Sequence, residues 1–513
     1  MKNYFLAALF FYSCHLFAQP SLIWQHCTGG TDLDEGTFVI ETHDHGFIVV
    51  AGVYSNDGDI LNNHGEQDVL LIRLDSNNNQ LWQKTYGGSL DEGPSCILET
   101  SDHGFVFVAG TESHDGDVTM NHGDNDIWVV KIDSIGDIQW QKTFGDSTYD
   151  EGISIIQNAA GNFVVLGWLS DADWDADFCL LNLDPSGNLV WQKTYGGSDT
   201  DWGYQVIQTL DGGYMLSGWT LSTDGDVTGN HGEEDAWLIK TDGSGNMQWQ
   251  RTYGGSYLDE LTNVVQLPSG AYVFASISES DDGDVQGNFS LSEQFWVVKI
   301  DATGNIVAQK CYGGTGWDEP YRILLTPDQG FVIAGMTASN DSDVTGNHGD
   351  FDCWTLKLDS NLDKQWAVCS GGSDEDLAYG ICSLSNGDYV LTGYVYSNDG
   401  DVSGNHAGGY TDVWTFRLSG NANGIDENEQ AGAMQLYPQP AHEVMNVRYH
   451  SNVPGSATIT ISDLSGRNLL NENINSRRGL NNFKVSLDQF KPGAYLFTLK
   501  TDEGLTSKRL LKD

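Results

Sequence analysis

A motif of the form Tyr-Gly-Gly-Ser-x-Asp-Glu-Gly recurs along this chain, with its Asp at positions 34, 91, 150, 201, 259, 318 and 376. The steps between the seven copies are 57, 59, 51, 58, 59 and 58 residues. A repeat of this size buries its apolar faces by stacking on its neighbours, and its length suits a four-stranded propeller blade. The second copy predicts the strands. Strand a covers Pro94–Glu99 and strand b Phe105–Gly110, with a turn at Ser101-Asp102-His103-Gly104 between them. After a long polar loop, strand c runs over Asp126–Asp133, nearly all apolar as a strand covered on both faces should be. A turn at Ser134-Ile135-Gly136 leads to strand d, Ile138–Thr143, and turn residues punctuate every boundary.

The ends of the repeat region show how the array stops. Leu22–Thr28 matches strand d, with Trp24 in register with Trp82. The seventh copy finishes on its strand c, Val413–Arg417, and has no strand d. One strand to spare at the start and one missing at the end make a ring clasp, which removes the open edges of a linear array. The expected fold is therefore all-β: a seven-bladed β-propeller over residues 19–420, closed by the N-terminal strand.

Charge narrows the possible partners. Lys and Arg total 24 against 72 Asp and Glu, a formal net charge of −48. Residues 3–433 hold 13 basic side chains against 65 acidic ones, whereas residues 434–513 hold ten against seven. A surface this acidic repels phosphate backbones and argues against nucleic-acid binding. It suits a soluble extracellular protein, or one that gathers cations. The 16 Trp, 21 Tyr and 20 Phe speak for a packed core rather than disorder.

The N-terminus begins Met1-Lys2-Asn3, continues with an apolar run over Tyr4–Ser13 and reaches Ala18 before Gln19. This is the pattern of a secretory signal peptide, residues 1–18, cleaved after Ala18. The run is too short to span a bilayer and no later segment approaches that length, so no transmembrane segment is expected. Cys14 would suit a lipid-modified N-terminus, but Phe11-Tyr12-Ser13 makes a poor recognition site for it. Seven cysteines remain after cleavage, an odd number that excludes a disulfide framework. Cys353 and Cys369 flank a predicted hairpin turn and are expected nearly opposite each other, as a disulfide or, preferably, as two small buried apolar residues.

Two resemblances add to this reading. The repeats Trp-x-Lys-Thr-Tyr-Gly-Gly-Ser, Asp-Gly-Gly-x-x-x-x-Gly and Asp-x-Trp-x-x-Lys-x-Asp resemble the delta-60-type propeller repeats of secreted bacterial and archaeal proteins, over residues 22–420. That resemblance implies the fold and no particular activity. A polar linker at 421–433 leads to a domain at 434–513 whose apolar residues alternate, as in Met445/Val447/Tyr449, Phe483/Val485/Leu487 and Tyr495/Phe497/Leu499. This period predicts a small antiparallel β-sandwich. Its opening, Leu436-Tyr437-Pro438-Gln439-Pro440-Ala441, resembles the Tyr-Pro-Asn-Pro start of type A sorting domains of the type IX secretion system, with Gln439 in place of the usual Asn. Ile459–Arg467, which includes Gly466, the Pro492-Gly493-Ala494-Tyr495-Leu496 segment and the basic end Lys508–Lys512 match the remainder. The resemblance implies the type IX secretion machinery as a partner. It further implies export across the outer membrane of a Bacteroidota-type cell, followed by release or surface attachment.

The residues that could carry chemistry collect on one face, where the d–a and b–c loops emerge. In the fourth copy Asp224, Asp226, Thr228 and Asp235 stand at positions 1, 3, 5 and 12 of a loop with Gly229 at 6. In the sixth copy Asp341, Asp343, Thr345 and Asp352 repeat the pattern around Gly346. The spacing resembles an EF-hand-type Ca2+ loop, although position 12 is Asp rather than Glu and no flanking helices are expected. Turn-building Asp and Gly account for it equally well. His64, His122, His231, His348 and His406 recur one per loop, which favours a structural role over a metal centre. The repeated Asp-Glu pairs are expected to be solvated loop acids rather than an acid/base couple.

Departures from the repeat are more informative. Eleven of the 16 Trp occupy repeat positions; the others are Trp168, Trp174, Trp202, Trp219 and Trp317, all on the acidic face. The first four belong to the third and fourth copies, and the third has only Ser170–Ala176 in place of the long loop. Flat apolar rings beside Asp residues suit a glycan ligand, while rings that fill the space of the missing loop explain the pattern slightly better. The expectation is a non-enzymatic binding or interaction module with a glycan or protein ligand; the rival is a polysaccharide-active enzyme or lectin using this aromatic face. The sequence contains no Gly-x-Ser-x-Gly, His-Glu-x-x-His or phosphate loop.

Overall fold

Strands b and c of each repeat are mostly apolar and almost wholly buried, because a sheet lies against each of their faces. Phe47–Val53, Asp68–Leu74, Phe105–Thr111 and Asp126–Ile132 are buried along their whole length. The outer strand d, such as Ile138–Phe144, is only partly covered. The structure, a computed structural model, describes residues 19–513 apart from 291, 407–409, 421–434, 438–443, 452–454, 463–466, 488, 502–503 and 513. The expected signal peptide at 1–18 and the expected linker at 421–433 lie outside the described residues. The chain divides into two compact units, Met1–Ala422 and Asn423–Asp513. Among the described residues no helix is long and apolar enough to cross a membrane.

The first unit contains seven four-stranded antiparallel sheets. Sheets 1 to 6 take their strands in chain order, a-b-c-d, from residues 34–86, 94–144, 150–195, 201–253, 261–312 and 318–370. In sheet 7 the strands of 376–418 are completed by Leu22–Thr28, which pairs with Asp412–Leu418. The expected clasp is thus present, with Trp24 opposite Arg417 as Trp82 is opposite Arg73.

The same contacts stitch one sheet to the next. The strand d tyrosine reaches the c–d turn of the following sheet, as in Tyr86 Oη to Gly136 O at 2.7 Å and Tyr253 Oη to Gly304 O at 2.8 Å. The N–H of the residue at or just before the start of strand a donates to the carbonyl that precedes strand c of the sheet before it. These bonds are Glu92 to Gln67 at 2.7 Å, Asp150 to Asn125 at 2.8 Å, Asp259 to Glu234 at 2.6 Å, Asp318 to Glu293 at 3.0 Å and Asp376 to Phe351 at 2.8 Å. Asp34 N–H donates to Thr411 O at 3.0 Å, so sheet 7 is tied to sheet 1 in the same way. Every strand a also carries a β-bulge at one place, for example between Gly36 and Phe38 and between Pro320 and Arg322.

One expectation about register fails. Cys353 lies opposite Ser370, and Cys369 lies opposite Trp354. A shift of one residue sends the two thiols to opposite faces of the sheet. They pack in different apolar clusters, and both are free.

In the second unit the strands form two antiparallel sheets, one of three strands and one of four. Met445, Val447, Tyr449, Val485, Leu487, Tyr495, Phe497 and Leu499 share one buried cluster, as their alternation predicts. Of the motif residues, Tyr437 ends the strand Gln435–Tyr437. Gly493 opens the strand Gly493–Thr501, and Tyr495 Oη donates to Lys491 O at 2.7 Å. Pro438, Pro440 and Gly466 lie outside the described residues.

Candidate functional site

Much of the acidic motif turns out to be framework. The side chain of the residue that leads into strand a accepts the backbone N–H four positions earlier, which fixes the Gly-Gly turn. Asp34 accepts from Gly30 at 2.9 Å, Asp201 from Gly197 at 2.8 Å and Asp318 from Gly314 at 2.7 Å. These carboxyls are wholly buried rather than solvated, contrary to expectation. In sheet 2 the buried acid is Glu92, which accepts from Gly88 at 2.7 Å, while Asp91 accepts from Gln67. Measured from Glu92, both neighbouring steps of the repeat become 58 residues. Burial is the main cause that raises Asp34, Asp150, Asp201 and Asp318 to about 6 and Asp259 to about 7.

The loop histidines are framework too. His64, His122, His231, His348 and His406 each cap a buried strand c aspartate through backbone N–H and Nδ1; the His231 Nδ1 to Asp235 distance is 2.7 Å.

In the two calcium-like loops the ends engage different partners. Asp224 accepts from Ser198 N at 2.9 Å and from its hydroxyl at 3.1 Å, and Asp341 holds Thr315 in the same way. Asp235 and Asp352 are buried beneath their histidines. Asp343 pairs with Lys364 at 2.5 Å, Thr228 accepts from Gln250, and Asp226 and Thr345 are exposed. Among the described residues, the three metal-capable side chains with ligand atoms within 4.8 Å of one another are His43, Glu99 and His103. That group is a variant of another stitch. His43 N–H donates to Glu99 as Ala159 N–H does to Gln208 and Leu210 N–H to Gln266.

The aromatic departures come together at the junction of sheets 3 and 4. Trp174 and Tyr149 have ring centroids 5.9 Å apart, Tyr149 and Trp168 5.5 Å, Trp168 and Trp202 5.3 Å, and Trp202 and Trp219 5.2 Å. The Trp168 and Trp202 planes lie within 5° of parallel. Trp168 and Trp219 are buried, at 7% and 6% exposure, so they serve as packing for the row; the Trp219 indole donates to Tyr204 Oη at 3.3 Å. Trp202 is half-buried. Trp174 is 65% exposed. Trp317 stands apart, against Phe351.

Trp174 occupies a costly position. In its turn Asp171 accepts the N–H groups of Asp173 and Asp175, and Trp174 N–H donates to Asp171 O. The c–d turns share this pattern and place Gly136, Gly187, Gly245 and Gly304 in the fourth position, with Asn78 and Leu362 there in sheets 1 and 6, all at positive φ. Trp174 sits there at φ +70°, a left-handed conformation that costs a side-chain-bearing residue roughly 1 kcal/mol or more.

Acids border the row. Glu151 lies opposite Trp168 in the ladder, and burial alone pushes its carboxyl to about 7. Burial, and then the adjoining Glu234 carboxylate, hold Glu260 well above the usual range; burial and then Glu319 do the same to Glu293. Sequence reasoning missed Tyr149, Glu151 and Glu260. Tyr149 and Glu151 flank the buried Asp150, and that adjacency to the short-loop repeat was the available signal.

No curated protein matches this sequence. Solved structures similar to the chain include the Pan2 WD40 domain of Neurospora crassa, at 8% identity and TM-score 0.45, covering 79% of this chain and 96% of that one. Sqt1 from Chaetomium thermophilum is similar at 12% identity and TM-score 0.42, covering 78% and 99%. A puromycin hydrolase is similar at 11% identity and TM-score 0.47, covering 82% and 59%. Residues 435–513 match the family described as a secretion system C-terminal sorting domain, which marks the protein for export to the cell surface or the extracellular space.

Proposed function

We propose that this chain is an exported, non-enzymatic binding module of a Bacteroidota-type cell. In this reading the seven sheets are the blades of one closed propeller, the tail is a β-sandwich handed to the type IX machinery, and the seam between sheets 3 and 4 receives a saccharide. The observation that carries it is Trp174, an exposed ring held at positive φ at the head of a stacked aromatic row. Strain of this kind persists where a side chain is needed in one place. Sugar rings stack on such faces while carboxylates accept their hydroxyls.

Glycan-array binding followed by calorimetry tests the reading on the parent and on Trp174→Gly. The substitution is expected to weaken binding by about 1–3 kcal/mol, as loss of a hot-spot aromatic does. It should also raise stability by up to about 1 kcal/mol, because glycine relieves the strained turn. A parent that binds no saccharide overturns the proposal. The second reading, a polysaccharide-active enzyme, draws on Glu151, a carboxyl beside Trp168 that burial raises to about 7, so that its protonated form persists to neutral pH as a general acid's must. Release of new reducing ends from a polysaccharide panel, abolished in Glu151→Gln, would favour it.

A further inference from the structure

The a–b turns lie at the opposite end of the strands from the acidic face, and the turn of one sheet reaches strand a of the next. Between sheets 3 and 4, Ala159 N–H donates to Gln208 at 3.1 Å; between sheets 4 and 5, Leu210 N–H donates to Gln266 at 2.8 Å. Gly212 and Gly270 stand four positions after those glutamines. Between sheets 1 and 2 all three places change together, to His43, Glu99 and His103. The stitch itself is kept, with His43 N–H donating to Glu99 Oε2 at 2.8 Å. It does not require the rings, yet His43 Nδ1 touches Glu99 Oε1, and His103 Nδ1 lies 3.5 Å from the same oxygen. The two imidazoles stack, with centroids 3.7 Å apart and planes 26° from parallel.

From this convergence we infer that His43, Glu99 and His103 bind a divalent transition-metal ion of the zinc class, with a fourth position left to solvent. Their three ligand atoms all lie within 4.8 Å of one another. With bonds of about 2.0–2.1 Å, a tetrahedral zinc separates its ligand atoms by roughly 3.3 Å, so small side-chain movements complete the set. Two imidazoles and a carboxylate suit this ion, and three protein ligands leave one position open. Both rings are about half exposed, whereas Glu99 is only 14% exposed, so an ion arriving from solvent meets a fixed carboxylate.

The turns hold the ligands in place. His103 N–H donates to Thr100 O at 2.8 Å, and Thr42 N–H to Gly46 O at 2.9 Å. The acids beside the histidines are engaged elsewhere: Asp44 pairs with Arg73 at 2.5 Å and Asp102 with Lys131 at 3.1 Å. Glu99 is thus the carboxylate for both rings. His103 has φ +62°, at the place where Gly161, Gly212, Gly270 and Gly387 stand in sheets 3, 4, 5 and 7, and His45 and Gln329 in sheets 1 and 6. The junction of sheets 7 and 1 repeats only part of the set. His45 Nδ1 is 3.1 Å from Glu41 there, but Ser385 replaces the first histidine.

Zinc titration calorimetry on the purified full chain, free of any polyhistidine tag, tests the inference near neutral pH. The expected result is one saturable site per chain, with a rise in melting temperature that a chelator reverses. Three variants copy residues found at the other junctions and so keep the fold: His43→Ser, Glu99→Gln and His103→Gly, the last of which also relieves a positive φ. Each should weaken the site by more than the roughly tenfold cost of losing an outer-shell partner. A parent without saturable zinc binding overturns the assignment, and so does a site that survives Glu99→Gln and His103→Gly unchanged.

Discussion

The indole N–H of Trp414 donates to Oε1 of Gln25 at 3.1 Å, across 389 positions of sequence. Trp128, Trp237 and Trp296 make the same bond to Gln141, Gln250 and Gln309, each only 13 positions away. Gln25 is therefore the strand d glutamine of sheet 7, supplied from the other end of the chain.

Removing that glutamine should be felt at the closure. Gln25→Ala leaves a buried indole N–H without an acceptor, at a cost of roughly 1–3 kcal/mol. Deleting Leu22–Thr28 exposes the edge of Asp412–Leu418 and should cause a much larger loss together with self-association. Urea unfolding and light scattering on both variants measure these effects. A deletion variant that stays monomeric and unfolds with the parent would contradict the clasp.

Sheet 6 offers the converse experiment. The Trp354 indole is buried with no acceptor, because Ala367 stands where the other sheets have glutamine. Ala367→Gln should restore the bond and stabilise the protein by about 1 kcal/mol. Thermal melting against the parent checks it, and the same substitution combined with Trp354→Phe should lose the gain.

Stability should fall as pH rises from about 4 to 7. Asp34, Asp150, Asp201, Asp318 and Asp259 have folded values of about 6 to 7 against an ordinary 3.8, so the native state binds more protons in that window. Their stabilisation is complete below the ordinary value and is lost as pH climbs through the folded one. His406, raised chiefly by its hydrogen bond to Asp412, acts in the same direction. Asp44, Asp102 and Asp211, lowered to about 2 by hydrogen bonds and by Arg73, Lys131 and Lys240, oppose this only at lower pH. The melting temperature should peak near pH 4; a peak at or above pH 7 would refute the account.

Strand content, sheet number and the clasp were readable because each rests on a strong local signal: continuous apolar strands, turn residues and a displaced strand d. Single-residue register was not readable. Asp91 and Glu92 are chemically alike, and the Asp-Glu form of the motif points to Asp91, although the 58-residue steps and the hydrogen bond from Gly88 place Glu92 at the buried position. Cys353 and Cys369 looked opposed until a one-residue difference in pairing set them on separate faces. The Trp cluster was visible as a departure from the repeat, whereas Tyr149 and Glu151 join it through packing that no spacing encodes.

The clasp also imposes an order in time. Leu22–Thr28 is made before every other strand of the first unit and its partner Asp412–Leu418 after all of them, so one strand waits for the other. Six sheets can assemble as they are synthesised, but the ring cannot lock until the whole domain has been delivered. Contacts this distant in sequence make folding slow, and they keep the first strand unpaired throughout synthesis.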